Sequence, residues 1–198
     1  YRAAMDKRTS IAEVVAEPGD TVYQVAKKAG IDIPSLCASD HLNPFGACRL
    51  CLCEIEGRPK LVAGCAPPVE EGMRIVTRSP KVQDARRGVM ELLLIHHPLD
   101  CPICDKGGEC TLQDYTIAMG PPQSRFHFEK NTWPEEDVGG KLVLNKNRCI
   151  LCLRCVNLCK EVAGTDEIAV LARGEQTYIG TVGGRLIENE LAGNIADI

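Results

Sequence analysis

Residues 96–110 read HHPLDCPICDKGGEC. Cys101, Cys104 and Cys110 crowd together there behind two histidines, with Gly107-Gly108 between the last two cysteines. The chain of 198 residues holds 12 cysteines and only 4 histidines. The other cysteines form two further groups, at 37, 48, 51, 53 and 65, and at 149, 152, 155 and 159, with cysteine-free stretches between. Such sulfur can serve disulfides, zinc, iron–sulfur clusters or a packed core. Disulfide frameworks scatter their cysteines through a short chain, whereas metal sites gather several sulfurs onto tight loops. The N-terminal stretch YRAAMDKRTS has no apolar segment of a secretory signal, so a reducing compartment, where disulfides are rare, is expected. Metal centres are the better reading.

Composition narrows the rest. A formal net charge of -4 argues against a general affinity for nucleic acid or an anionic membrane. The longest apolar run, Val89 to Ile95, is broken by Glu91 and is far too short to span a bilayer. Aromatic content of 4% beside 12 cysteines suggests that something besides a large apolar core supplies stability. The first residue is not Met, so the chain is expected to start inside a longer protein.

Three segments follow along the sequence. In the first, Ile11 to Glu17 reads as a strand and Pro18-Gly19 as a turn. Asp20 or Thr21 can cap a helix over VYQVAKKA, closed by Gly30. LCEIEG and PKLVAGC flank Gly57 like a hairpin, and MRIVT reads as another strand. The second segment opens with a helix near Asp84 to Ile95, with Val89, Leu92, Leu93 and His96 on one stripe. A short helix follows at Leu112 to Met119. Residues 121–140, rich in Pro, Gly and charge, read as a linker. The third segment has strands at KLVLN, EIAVLA and QTYIGTV, and a terminal helical stretch.

Cys37, Cys48, Cys51 and Cys65 put three thiolates on one loop and a fourth on a later strand, the logic of a plant-type [2Fe–2S] site. Ten residues rather than four separate the first two, a departure from the usual plant-type spacing. Zinc remains an alternative, although it commonly uses two C-x2-C knuckles and this group has one. Cys53 reads as a small core residue. In the second group Cys101, Cys104 and Cys110 supply three corners of a [4Fe–4S] cube, and His97 is the nearest candidate for the fourth. Neutral imidazole in place of a thiolate leaves a cluster less negative and easier to reduce. Adjacent His96 is the weaker candidate. Cys149, Cys152, Cys155 and Cys159 have the ferredoxin C-x2-C-x2-C-x3-C form. Cys149, Cys152 and Cys155 fit three corners of a second cube, and Cys159, followed by Lys160 rather than Pro, is doubtful as the fourth.

GACRLCLCEIEG, HHPLDCPICDKGGECTLQD, CILCLRCVNLCKEVAG and ELAGNIADI together resemble the N-terminal portion of the large iron–sulfur subunit of respiratory complex I, NADH:quinone oxidoreductase. The resemblance implies an α+β fold in parts. Residues 1–80 would form a β-grasp [2Fe–2S] ferredoxin domain. Residues 81–120 would form a small helical [4Fe–4S] domain with one histidine and three cysteine ligands, and residues 121–140 a linker. Residues 141–198 would form a small α+β [4Fe–4S] ferredoxin-like segment. It implies one [2Fe–2S] cluster on Cys37, Cys48, Cys51 and Cys65, a [4Fe–4S] cluster on His97, Cys101, Cys104 and Cys110, and a second on Cys149, Cys152 and Cys155. The family's last ligand follows a Gly-Asn-Ile-x-Asp segment, which here is Gly193 to Asp197. The fourth ligand is thus expected beyond Ile198, in a chain cut short, with Cys159 as fallback.

The function implied is electron relay from NADH and flavin towards quinone, within a proton-translocating, membrane-associated complex. The partners implied are a flavin- and NADH-binding subunit and the other iron–sulfur subunits of the peripheral arm. The location implied is the cytoplasmic side of a bacterial inner membrane, with membrane contact only through the complex and no nucleic acid. No G-x-G-x-x-G opens a helix after a strand, and no catalytic residue or substrate site is expected in this chain. The same module in an NAD-linked hydrogenase or NAD-dependent formate dehydrogenase is the near alternative. A zinc-stabilised structural module is the alternative of another class.

Overall fold

A computed structural model describes residues 1–6, 11–139 and 142–198. Gly140 and Lys141, at the seam between the segment read as a linker and the strand read at KLVLN, lie outside the described residues. The fold is α+β with small sheets and few helices. Two compact units divide it. The first comprises residues 1–36, 44–92 and 108–125, and the second residues 37–43, 93–107 and 126–198.

The first unit is built on a sheet of five strands: β1 (Arg2–Asp6), β2 (Ile11–Val15), β3 (Leu52–Ile55), β4 (Val62–Ala63) and β5 (Arg74–Val76). Their order is β2-β1-β5-β3-β4, with β1 parallel to β5 and the other neighbours antiparallel. Alternation puts Ala3, Met5, Val14 and Ile75 on the buried face. β1 is absent from the sequence reading, because RAAMD offers only two alternate apolar side chains. Pairing with β2 and β5 makes it a strand. Across the sheet lies α1 (Val22–Lys28). Thr21 starts it with a full capping box: its hydroxyl accepts from Gln24 N–H, and Gln24 Oε1 accepts from Thr21 N–H at 2.8 Å. Val22, Val25 and Ala26 then face the core by helical spacing.

Helix α2 (Pro80–Leu94) begins four residues before the expected start, with Pro80 at its first position. Its buried side chains are Val82, Arg86, Met90 and Glu91, while Leu92 is 64% exposed. The expected stripe through Val89, Leu92, Leu93 and His96 is therefore not the packed face. The packed face runs instead through Val82, Arg86 and Met90, spaced by four. Arg125 Nε donates to Glu91 at 2.8 Å, tying the end of this unit's last segment to the helix. Helix α3 (Thr111–Met119) follows, and its Tyr115 hydroxyl accepts from Ser35 N–H at 3.4 Å.

The second unit holds two hairpins, β6 (Glu136–Gly139) with β7 (Leu142–Leu144) and β8 (Ile168–Leu171) with β9 (Tyr178–Thr181). Strand β6 occupies the end of the stretch read as a linker. A short helix, α4 (Arg154–Asn157), runs into a π turn over Leu158–Ala163, and α5 (Asn194–Asp197) closes the described chain. Val138, Cys159, Ile168, Ile179, Ile187 and Ala192 form the core.

Candidate metal centres

The first cysteine group sits at the heart of the first unit. Cys48, Cys51 and Cys65 are buried, as is Cys53. The loop that carries them bends through Gly46 and Arg49, both at positive φ (68° and 60°). Only glycine takes that conformation without strain, so a non-glycine residue there is a feature that the surroundings enforce. A methyl group at Gly46 would lie 3.8 Å from Cys65 Sγ, so this turn brings the loop directly over the later cysteine. Leu36 N–H and the Ser35 hydroxyl both reach Cys48 Sγ. Cys37, the next residue along, is itself buried and belongs to the second unit. Cys53 packs in the core and its thiol faces Val62 O at 3.7 Å, as a structural cysteine would.

Of the second group, His97, Cys101 and Cys104 belong to the second unit and Cys110 to the first. A 3-10 turn over Cys101–Ile103 folds the loop, and Gly107 N–H donates to Cys104 O at 2.9 Å. A Cβ at Gly107 would stand 2.8 Å from Cys101 O and 3.1 Å from Cys104 O, so the loop closes only around glycine. Arg148 holds its rim, donating to Asp100 at 2.9 and 3.1 Å. His97 Nδ1 is buried without a hydrogen-bond partner. Burial holds the imidazole below its ordinary pKa, the neutral form that a metal needs. His96 instead accepts from Asn131 N–H and packs on Phe128, which leaves it the weaker candidate. Cys110 immediately precedes α3, where the helix dipole favours a thiolate.

The third group lies wholly in the second unit. Leu151 and Leu153, between its cysteines, both adopt positive φ (54° and 63°). That backbone turns Leu151 N–H onto Cys149 Sγ at 3.4 Å. Burial raises the Cys149 thiol, and Cys155 is pushed up to about 12 by burial and by the neighbouring Cys149 and Cys152. Buried thiols of this kind stay protonated on their own, whereas a bound metal deprotonates a thiol outright. Cys159 packs instead in the apolar core, 1% exposed.

The donor chemistry fits iron–sulfur clusters: thiols in groups, buried in the first group, half-buried in the third and reaching the surface at Cys101 in the second, an unpartnered imidazole nitrogen, strained loops aiming N–H groups at sulfur, and a glycine where a side chain would block closure. Among the described residues no three His, Cys, Asp or Glu side chains gather closely enough to share one metal ion. A cluster does not require that, since its ligands are shared out over several irons, two to each iron in a [2Fe–2S] unit and one to each in a [4Fe–4S] cube.

Three family models match in sequence. Residues 12–80 match the 2Fe-2S iron-sulfur cluster binding domain, residues 86–125 the NADH-ubiquinone oxidoreductase-G iron-sulfur binding region, and residues 139–198 the NADH-quinone oxidoreductase subunit 3 ferredoxin-like domain. The 75 kDa subunit of NADH-ubiquinone oxidoreductase from Reclinomonas americana is 44% identical over 93% of this chain and 27% of its own length. The G subunit of NADH-quinone oxidoreductase from Rickettsia conorii is 43% identical over 94% of the chain and 28% of its own. The chain belongs to this G-type family of NADH-quinone oxidoreductase subunits.

Iron-sulfur protein 1 of mitochondrial NADH dehydrogenase from Solanum tuberosum is 47% identical over 91% of the chain and 24% of its own length. The chain thus spans about a quarter of the curated relatives it matches. The crystal structure of an NAD+-reducing [NiFe]-hydrogenase in the H2-reduced state shares the fold, with a TM-score of 0.85 and 31% identity, covering 98% of this chain and 80% of that one. Membership in the family gives the chain one [2Fe–2S] and two [4Fe–4S] centres. Sequence reasoning found the cysteines but missed the cations around them, Arg86 and Arg148, because a lone arginine has no spacing signal.

Proposed function

We propose that this chain is the electron-relaying segment of NADH:quinone oxidoreductase, passing single electrons from NADH and flavin in a partner subunit towards quinone. The observation that carries this reading is the order of three distinct cluster-binding regions along one chain. Cys37, Cys48, Cys51 and Cys65 would hold the [2Fe–2S] cluster, and His97, Cys101, Cys104 and Cys110 one [4Fe–4S] cluster. Cys149, Cys152 and Cys155 would hold three corners of the other, the fourth falling to Cys159 or to a ligand outside residues 1–198. Clusters supply one-electron chemistry when bound, and the chain supplies position, charge and shielding from water.

The strand order β2-β1-β5-β3-β4 with α1 across the sheet supports a β-grasp domain over residues 1–80. Residues 81–120 and 141–198 are the proposed four-iron segments on either side of a connecting stretch at 121–140. Among the described residues no helix is long and apolar enough to cross a membrane. That agrees with a place in a peripheral arm on the cytoplasmic side of a bacterial inner membrane. Its partners there would be the flavin subunit and other iron–sulfur subunits, and no substrate would bind this chain itself.

A second reading, the equivalent module of an NAD-linked hydrogenase, is favoured by the fold shared with that enzyme. Purifying the native assembly under mild conditions separates the two. Quinone-reactive membrane subunits are expected beside the chain; a nickel-bearing subunit would overturn the first reading in favour of the second.

A further inference from the structure

Arg86 lies on the packed face of α2 and is only 6% exposed. One guanidinium nitrogen, Nη2, donates to Leu52 O at 2.8 Å, and the peptide so gripped joins Leu52 to Cys53, directly after Cys51. Its Nε is buried with no hydrogen-bond partner, and so is Nε of Arg78. A buried cation without an anion is expensive, and a second arginine nearby makes it more so. Burial pushes the Arg86 pKa down, and Cys53, Cys51 and Asp32 are the groups that work against that fall. The grip on the Leu52 carbonyl sets the guanidinium beside the cysteine loop, which is where a counter-charge would meet it.

A [2Fe–2S] unit with four thiolates carries net negative charge even when both irons are ferric, and one charge more after reduction. A fixed cation in a low-dielectric interior stabilises the reduced form most. We propose that Arg86 is the buried counter-charge of the cluster to which Cys51 contributes a thiolate, and that its cation holds that cluster's reduction potential up. The inference rests on the [2Fe–2S] reading above. Arg86 is a positioning residue in this role, acting through charge and through its grip on the Leu52 carbonyl rather than as a ligand.

The test is potentiometric titration of the two-iron EPR signal in the purified holo-complex, with iron and sulfide counted in every sample. Arg86→Gln retains the cluster and lowers the reduced-to-oxidised ratio at the wild-type midpoint at least tenfold, a fall of about 59 mV or more for one electron. Arg86→Lys keeps the charge and recovers most of that fall. An unchanged or raised midpoint in a fully loaded Arg86→Gln complex overturns the proposal, as does a Lys variant that falls as far as Gln. Should Arg86→Gln fail to assemble, Arg86→Met, which fills the space without a charge or an unpaired polar group, decides: a lowered midpoint supports the proposal and an unchanged one overturns it. A wild-type complex without a two-iron signal would sink the cluster reading itself, a separate outcome.

Discussion

The backbone N–H of Leu36 donates to Cys48 Sγ at 3.3 Å, in a pocket where both residues are buried. A hydrogen bond to a ligand sulfur withdraws negative charge from a cluster and eases its reduction. The neighbouring Ser35 hydroxyl lies 3.8 Å from the same sulfur, and with Cys48 bound as a thiolate the hydroxyl is the donor.

Ser35→Ala should therefore lower the [2Fe–2S] midpoint while leaving iron content unchanged. One hydrogen bond is worth about 0.5–1.5 kcal/mol, which for one electron corresponds to roughly 20–60 mV. Potentiometric EPR reads the shift, and a rise would mean that the hydroxyl does not donate to the cluster.

At His97 the buried, unpartnered Nδ1 leads to two opposite outcomes. His97→Cys should retain a four-iron cluster and lower its potential, on the order of 100 mV, because a thiolate adds charge that an imidazole lacks. His97→Ala should lose the cluster. Survival of the cluster unchanged in the alanine variant would remove His97 from the ligand set.

Gly107→Ala tests loop closure rather than ligation. The added methyl meets two backbone carbonyls, at 2.8 and 3.1 Å, and backbone cannot step aside as a side-chain tip can. The expected cost is about 1–3 kcal/mol of overpacking, seen as lost iron from one four-iron site and a lower melting temperature. Gly88→Ala, inside α2 with open space around its Cβ position, is the control expected to keep its iron and to hold or raise the melting temperature.

How much was legible in advance follows from the physics of each signal. The α1 cap was readable because Thr21 and Gln24 act locally, and cysteine spacing was readable because cluster ligands must come from tight loops. β1 and β6 were not. RAAMD and EDVG have weak strand character and become strands through partners distant in sequence. Ile187 N–H, for instance, donates to Val138 O at 2.7 Å. The buried face of α2 was misread because Leu92 and Leu93 look like core and Arg86 and Glu91 look like solvent-facing charge, whereas the helix buries Arg86 and Glu91 with Val82 and Met90. The π turn at Leu158–Ala163 has no sequence signature of its own.

Glu167 supplies a pH prediction. Glu188 N–H, the Asn189 amide and the Thr165 hydroxyl all donate to its carboxylate, and the Glu188 and Asn189 bonds hold it below the usual carboxylate range. A carboxyl with a depressed folded pKa adds stability above its unfolded value of about 4.3, lost as pH falls through the folded value. Glu167→Gln should lower the urea midpoint by the same amount at about pH 8 and about pH 5.5, since both lie above that value. A difference that grows steadily from about pH 8 down to about pH 5.5 would mean that the folded pKa is raised instead.

The central claim is that this chain carries iron–sulfur cages rather than zinc or cross-links. Low-temperature EPR of the anaerobically purified, dithionite-reduced protein, with iron and acid-labile sulfide counted in the same sample, tests it most directly. The account predicts a brown protein with one two-iron signal and two four-iron signals. A colourless sample holding zinc and little iron or sulfide would contradict it.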